Sequence, residues 1–251
     1  MNKIKVLYIA GVNRSGTTLL GRVLGQSKNS VFVGEAKNIS PNTICGCGKT
    51  LKECPEWEKI VCSLDTRAIR NITNKVRARD ILLSPPNVAD EVRLLNDYYS
   101  RINNQFNKKC IIDSSKIPSY LYVLSKSSRI DLKVIHIVRN MRDVVNSWWR
   151  RPLHEQKENR PFWERSYKSL KFENPIRAIL IWMSWNISIR KQFSGKNYYS
   201  INYKQFCQSP RTKIRKALKK LKSLDLNPSW ISENEIMLPE QHSVKGNPNR
   251  F

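Results

Sequence analysis

The stretch Val6-Leu7-Tyr8-Ile9-Ala10-Gly11-Val12-Asn13-Arg14-Ser15-Gly16-Thr17-Thr18, continuing into Leu19 to Gln26, decides the fold. Residues 6–10 form an apolar run of strand length, and the residues after Thr18 carry the apolar spacing of a helix. A strand that feeds a glycine-bracketed turn and then a helix start aims successive backbone N–H groups, with the positive end of the helix dipole, at one point. An oxyanion binds there readily. In a loop that holds ATP or GTP, the residue after the second glycine is lysine, which reaches the β- and γ-phosphates, followed by Ser or Thr on magnesium. Here the second glycine is Gly16 and the next residue is Thr17. The cation comes earlier, as Arg14, whose planar fork grips two oxygens at once. The missing lysine argues against a γ-phosphate and its metal, and for a dianionic 5′-phosphate that carries another group.

Outward from this loop, short strand candidates alternate with longer helical patterns, the signature of a parallel sheet covered on both faces. Strands are expected near Lys5–Ala10, Ser30–Val33, Lys109–Asp113, Lys133–Val138 and Tyr198–Asn202. Helices are expected near Thr17–Gln26, Asp65–Arg79, Val88–Asn107, Pro118–Ser127, Arg142–Arg150, Pro175–Phe193 and Pro210–Ser223. The fold class is therefore α/β: a three-layer, phosphate-loop-containing fold with a central parallel sheet between helices. We read residues 1–251 as one domain, with a cysteine-containing loop at about 40–62 and an irregular flap at about 152–174 as insertions. Ligand loops in such folds leave the carboxyl ends of the strands, which gathers residues 11–16, Gly34-Glu35, Asp113 to Lys116 and Arg139 into one crevice.

Two further motifs lie downstream. The run Leu132 to Val138 leads into Arg139-Asn140-Met141-Arg142-Asp143-Val144-Val145-Asn146-Ser147, then Trp148, Trp149, Arg150 and Arg151. The chain ends His242-Ser243-Val244-Lys245-Gly246-Asn247-Pro248-Asn249-Arg250-Phe251. Together with Arg14-Ser15-Gly16-Thr17-Thr18, these motifs resemble those of the sulfotransferases that use 3′-phosphoadenosine 5′-phosphosulfate. The resemblance is closer to the tyrosylprotein, Golgi-type branch and its bacterial relatives than to the cytosolic small-molecule enzymes. It implies that the first loop holds the 5′-phosphosulfate and that Arg139 and Ser147 grip the 3′-phosphate. Arg151 is implied at the same phosphate, and it lies one helical turn beyond Ser147 on the same face. Gly246, Asn247 and Arg250 are implied in a glycine loop that folds back over the nucleotide. The nucleotide-binding candidates are thus Asn13, Arg14, Ser15, Gly16, Thr17, Thr18, Arg139, Ser147, Arg151, Tyr203, Gly246, Asn247 and Arg250, with adenosine 3′,5′-bisphosphate as product and no metal required.

Sulfuryl transfer resembles phosphoryl transfer in its demands: in-line geometry, cations where charge develops on the leaving oxygen, and a base at the acceptor hydroxyl. The candidate cations are Arg14 and Lys116, the latter in Asp113-Ser114-Ser115-Lys116; tyrosylprotein-type relatives place a lysine in this region. Two carboxylates compete as base. Glu35 follows Gly34 and resembles the G-E in which tyrosylprotein-type enzymes carry theirs, while Asp113 stands where the cytosolic enzymes place a histidine. That loop has no histidine here. His136 reads as a core residue inside a strand, His154 falls in the flap, and His242 opens the terminal loop as a site residue or a structural one.

Composition sets the remaining bounds. The chain has 45 Lys+Arg against 20 Asp+Glu, a net charge of +25, and 40% hydrophobic residues. Such a charge implies polyanionic company, and the donor's anionic groups account for only a few of the cations. For the remainder three readings stay open: an anionic membrane surface, an acidic acceptor, or solubility alone. The segment Arg211 to Ser223 places Ile214, Ala217, Leu218 and Leu221 on one face of a basic helix, which either packs or lies on a polyanion. Ala178 to Ile189 is too short to span a bilayer, so the expected location is the cytoplasm. Cys45, Cys47, Cys54 and Cys62 cluster in sequence, but their spacing departs from paired zinc motifs. Reduced, loop-ordering thiols are expected, ahead of a disulfide and then zinc. The rival functions are a small-molecule kinase, which Thr17 opposes, and a basic nucleic-acid or anionic-lipid binder, for which no specific nucleic acid is predicted. The hydroxylated acceptor is undetermined: carbohydrate, lipid, natural product and peptide tyrosine all fit.

Overall fold

A computed structural model describes residues 3–76, 81, 83–156, 175–193, 195–222, 226 and 241–244, without the side chains of 149–156. Five strands form one parallel sheet: β1 (Ile4–Ala10), β2 (Ser30–Gly34), β3 (Cys110–Lys116), β4 (Ile130–Val138) and β5 (Tyr198–Asn202). Their order is β2-β3-β1-β4-β5, so β1 is the central strand.

Side-chain alternation along β1 builds the two outer layers. Val6, Tyr8 and Ala10 face one core, with Tyr98, Tyr99, Tyr120 and Leu121. Leu7 and Ile9 face the other, with Leu20, Val23, Leu24, Ile214 and Ala217. The first layer comprises α3 (Thr66–Lys75), α4 (Ala89–Phe106) and α5 (Pro118–Ser125), preceded by the short α2 (Glu58–Cys62). The second holds α1 (Thr17–Leu24) and α9 (Pro210–Lys220), with α8 (Tyr203–Gln208) leading into α9. α6 (Met141–Gln156) and α7 (Pro175–Gln192) pack on each other around Val12, Val144, Trp148 and Ala178. The basic helix α9 buries Ile214, Ala217 and Leu218 against the sheet, the packed alternative of its two readings.

From β1 the chain moves to one side through β2 and β3, then crosses to β4 and β5 on the other. The carboxyl ends of β1 and β4 therefore border a topological switch point, where open α/β sheets bind ligands.

Several boundaries correct the sequence reading. β3 continues three residues beyond Asp113, through Lys116, and β4 begins at Ile130 rather than Lys133. α6 runs through Pro152 to Gln156, so the first residues of the expected flap, His154 among them, are helical. Residues 157–174 of that flap lie outside the described residues, as do 77–80 of the expected helix Asp65–Arg79. Among the described residues, no helix is long and apolar enough to cross a membrane.

Candidate functional site

At the carboxyl end of β1 the chain turns sharply, with Ser15 N–H donating to Val12 O at 3.1 Å. Arg14 adopts φ +71° and Gly16 φ +91°, both in the left-handed region. Gly16 has a steric reason as well: a Cβ there would stand 2.4 Å from the ring of Tyr203. Gly16 is the N-cap of α1 and supplies no side-chain cap, so the first N–H groups of the helix meet no capping side chain. Ser15 and Thr17 are buried, and the Ser15 hydroxyl has no hydrogen-bond partner among the described residues. A buried, unpartnered donor at an uncapped helix start suits an anion.

The second motif meets the first directly. Arg139, just past β4, donates from Nη1 to Arg14 O at 3.0 Å, and Arg14 Nε donates to Ser147 Oγ at 2.9 Å. The Arg139 guanidinium lies over the Tyr203 ring, 4.8 Å from its centroid. Its buried Nε has no hydrogen-bond partner among the described residues; Asp143 Oδ2 stands 3.8 Å away. Trp182 Nε1 donates to Arg139 O at 3.1 Å and holds the strand end. Because Ser147 accepts from Arg14, its own hydroxyl proton can point elsewhere. The structure thus brings Arg14, Arg139, Ser147 and Tyr203 together around the phosphate loop. The Arg151 side chain and residues 246, 247 and 250 lie outside the described set.

Beside this lies a charged pair carried by the adjacent strands β2 and β3. Lys116, at φ +70° and buried, contacts Glu35 Oε1 through Nζ. Glu35 Oε2 accepts from Asn38 Nδ2 at 2.7 Å, and Asn38 Oδ1 accepts from Lys37 Nζ at 2.8 Å. Gly34 sits at φ +75°, where a Cβ would come within 2.2 Å of Val244 O. Val244 pairs with Gly34 and Cys45, and its carbonyl accepts Glu35 N–H at 2.8 Å. The backbone of Glu35 is thereby fixed by a segment from the far end of the chain.

Asp113 occupies a different environment. It is fully buried; Oδ1 accepts from Ser115 N at 2.7 Å and Ser115 Oγ at 2.6 Å, while Oδ2 accepts from the Tyr99 hydroxyl. Ser115 Oγ in turn accepts from Lys37 N–H at 3.0 Å. Burial pushes the Asp113 carboxyl up to about 6, although these hydrogen bonds favour the carboxylate. Among the histidines, His136 is a core residue as its strand position implied. Asn186 donates its amide to Trp182 O, so its Oδ1 accepts from His136 Nε2 at 2.8 Å and Tyr198 donates to Nδ1 at 2.9 Å. Burial lowers the His136 pKa to about 4.

The cysteine cluster differs from the sequence grouping. Cys45, Cys47 and Cys54 converge, whereas Cys62 is exposed on α2, and the fourth member of the group is His242. Spacing gave no sign of this, since His242 is 188 residues from Cys54.

Comparison with known proteins gives the family and the fold. The sulfotransferase-domain family model matches residues 5–223. Among solved structures, a sulfotransferase domain from the curacin biosynthetic pathway aligns at TM-score 0.52 and 15% identity, covering 100% of this chain and 86% of that one. A sulfotransferase from Mycobacterium avium aligns at TM-score 0.50 and 12% identity, covering 85% and 62%. At such identities these two neighbours establish the fold alone. Comparison with curated proteins gave no match. The family match spans the phosphate loop, the Glu35–Lys116 pair and the Arg139–Ser147 segment, and by it the chain belongs to the sulfotransferase family and is an enzyme of that type.

Proposed function

We propose that this enzyme transfers a sulfuryl group from 3′-phosphoadenosine 5′-phosphosulfate to a hydroxyl of its acceptor. The observation that carries the reading is the junction of Arg139, Arg14 and Ser147 at an uncapped helix start that lacks the nucleotide-triphosphate lysine. The buried Ser15 Oγ and Arg139 Nε, neither with a hydrogen-bond partner among the described residues, fit a ligand with two anionic ends. Arg14 and the N–H groups of residues 15–18 hold the 5′ end; Arg139 and Ser147 hold the 3′-phosphate, with Arg151 and the 246–250 loop assigned there by resemblance.

The donor supplies a sulfur whose bond to the phosphate oxygen breaks as the acceptor oxygen attacks. The chain's own groups meet the demands of that exchange. Glu35, partly exposed and at the mouth of the strands, takes the hydroxyl proton. Lys116, paired with Glu35 in the resting arrangement, swings to the leaving oxygen as charge develops there. Asp113 is a positioning residue: it is sealed from solvent and already accepts three hydrogen bonds, and through Ser115 it fixes the end of β3 that carries Lys116. Of the two carboxylates left open by the sequence, Glu35 has the reach of a base.

A single domain over residues 1–251 completes the proposal, supported by the one continuous sheet covered on both faces. A cytoplasmic setting belongs to it too, supported by six cysteines that form no disulfide. The test is transfer of label from 35S-labelled donor to acceptors in a lysate. Glu35→Gln is expected to abolish transfer while calorimetry still detects adenosine 3′,5′-bisphosphate binding. Full transfer by Glu35→Gln would overturn the assignment of the base.

A further inference from the structure

Behind the segment that holds the Glu35 backbone, three sulfurs and one imidazole nitrogen converge. The Sγ atoms of Cys45, Cys47 and Cys54 and a ring nitrogen of His242 all lie within 4.8 Å of one another. Cys47 Sγ and Cys54 Sγ are 3.8 Å apart, and Cys54 Sγ stands 3.3 Å from His242 Nδ1. A tetrahedral zinc has Zn–S near 2.3 Å and Zn–N near 2.0–2.1 Å, so its coordination edges measure about 3.8 Å between sulfurs and about 3.5 Å between sulfur and nitrogen. Both observed distances match those edges. A disulfide needs its sulfurs at roughly 2.05 Å.

The backbone is arranged for thiolates as well. A backbone N–H two positions on favours the thiolate of each sulfur: that of Cys47 for Cys45, of Lys49 for Cys47 and of Glu56 for Cys54. Outer-sphere donors of this kind support thiolates around a bound metal. The turn that presents the first two is closed by Gly48 N–H to Cys45 O at 3.0 Å and Cys45 N–H to Lys49 O at 2.8 Å.

We propose that Cys45, Cys47, Cys54 and His242 bind one structural zinc ion. Four protein ligands leave no open position, so the ion is a staple rather than a reagent. It joins the 45–54 loop to residues 241–244, a junction also held by Gly46 N–H to Ser243 O at 2.9 Å and Trp57 Nε1 to His242 O at 2.9 Å. The stapled segment is the one whose Val244 accepts from Glu35 N–H and donates to Val33 O at 2.9 Å. The ion therefore secures the backbone of Glu35 from two residues away, independently of which acceptor or donor the enzyme uses.

The test is elemental analysis of the full chain, purified under reducing conditions without a metal-affinity step. One zinc per chain, retained through dialysis and released by a mercurial reagent, is expected. Replacement by cobalt is expected to give the intense near-ultraviolet sulfur-to-cobalt band and the visible bands of a tetrahedral site. His242→Ala should lose most of its metal, while His242→Cys keeps it. The wild-type cobalt spectrum tests the site even if a variant fails to fold. Protein that folds with no zinc, shows no cobalt spectrum and gains no thermal stability on zinc addition would overturn the proposal. So would a mass indicating a disulfide among these cysteines in protein as isolated.

Discussion

Lys116 carries a cost that the structure makes measurable. Its φ of +70° places a long side chain in the left-handed region, as does the +71° of Arg14, the other candidate cation. For a residue with a Cβ this conformation costs roughly 1–2 kcal/mol relative to glycine. Replacing Lys116 by Ala keeps that strain and removes the ammonium; replacing it by Gly removes both. Glycine gives back about 0.4–1 kcal/mol through the greater freedom of the unfolded chain. Lys116→Gly is therefore expected to be more stable than Lys116→Ala by about 0.5–1 kcal/mol, equivalent to a melting difference of a few degrees for a chain of this size. Both variants should lose sulfuryl transfer. Paired urea titrations with a transfer assay read the two effects separately. If the alanine variant equals or exceeds the glycine variant in stability, no strain is held at this position. If either variant turns over normally, Lys116 is not the second cation.

Two further predictions concern packing and pH. Gly16→Ala drives a Cβ to 2.4 Å from the Tyr203 ring and keeps φ +91°, so a loss of about 2–4 kcal/mol is expected from strain and overpacking together. Tyr203→Ala in the same chain should recover the steric part in a double-mutant cycle; additive losses would show that the ring does not lie on the loop. Asp113 is raised from 3.8 to about 6, so its stabilising, protonated form is fully present below 3.8 and the contribution fades as pH rises through 6. That window holds up to about 3 kcal/mol. His136, lowered from 6.5 to about 4, runs the other way: its contribution is present above 6.5 and lost as pH falls through 4. Stability of Asp113→Asn relative to wild type should therefore rise between pH 4 and pH 7 in thermal melts, and a pH-independent difference would contradict the burial argument.

The residues that were legible in the sequence share one property: their function depends on local order. β1, the loop and the start of α1 were plain because a strand, a glycine turn and a helix follow one another without interruption. β5 was found at its observed limits for the same reason. β3 was cut short at Asp113 because Asp-Ser-Ser-Lys has the composition of a loop. In the fold, those polar side chains find partners within the strand layer, Ser114 on Gly34 O and Ser115 on Asp113, and the backbone keeps pairing. The sequence predicts a helix that ends at Arg150, yet α6 continues through Pro152 to Gln156. What was not legible was convergence over long separations. No spacing rule connects His242 to Cys54, Val244 to Glu35, or Tyr203 to Gly16, since each contact is made by the sheet order rather than by the neighbouring chain. The mutual contact of Arg14 with Ser147 was likewise hidden, although both residues had been singled out for their chemistry.

The central claim is that one nucleotide is held at both anionic ends by the Arg14 turn and the Arg139–Ser147 pair. Calorimetric titration with adenosine 3′,5′-bisphosphate and with adenosine 5′-monophosphate, in wild type and in Arg139→Ala, tests it most directly. A charged hydrogen bond of about 1.5–3 kcal/mol predicts that wild type prefers the bisphosphate by roughly 10- to 150-fold, and that Arg139→Ala erases most of this preference. Equal affinity of wild type for the two nucleotides, or a preference left intact in Arg139→Ala, would contradict the account.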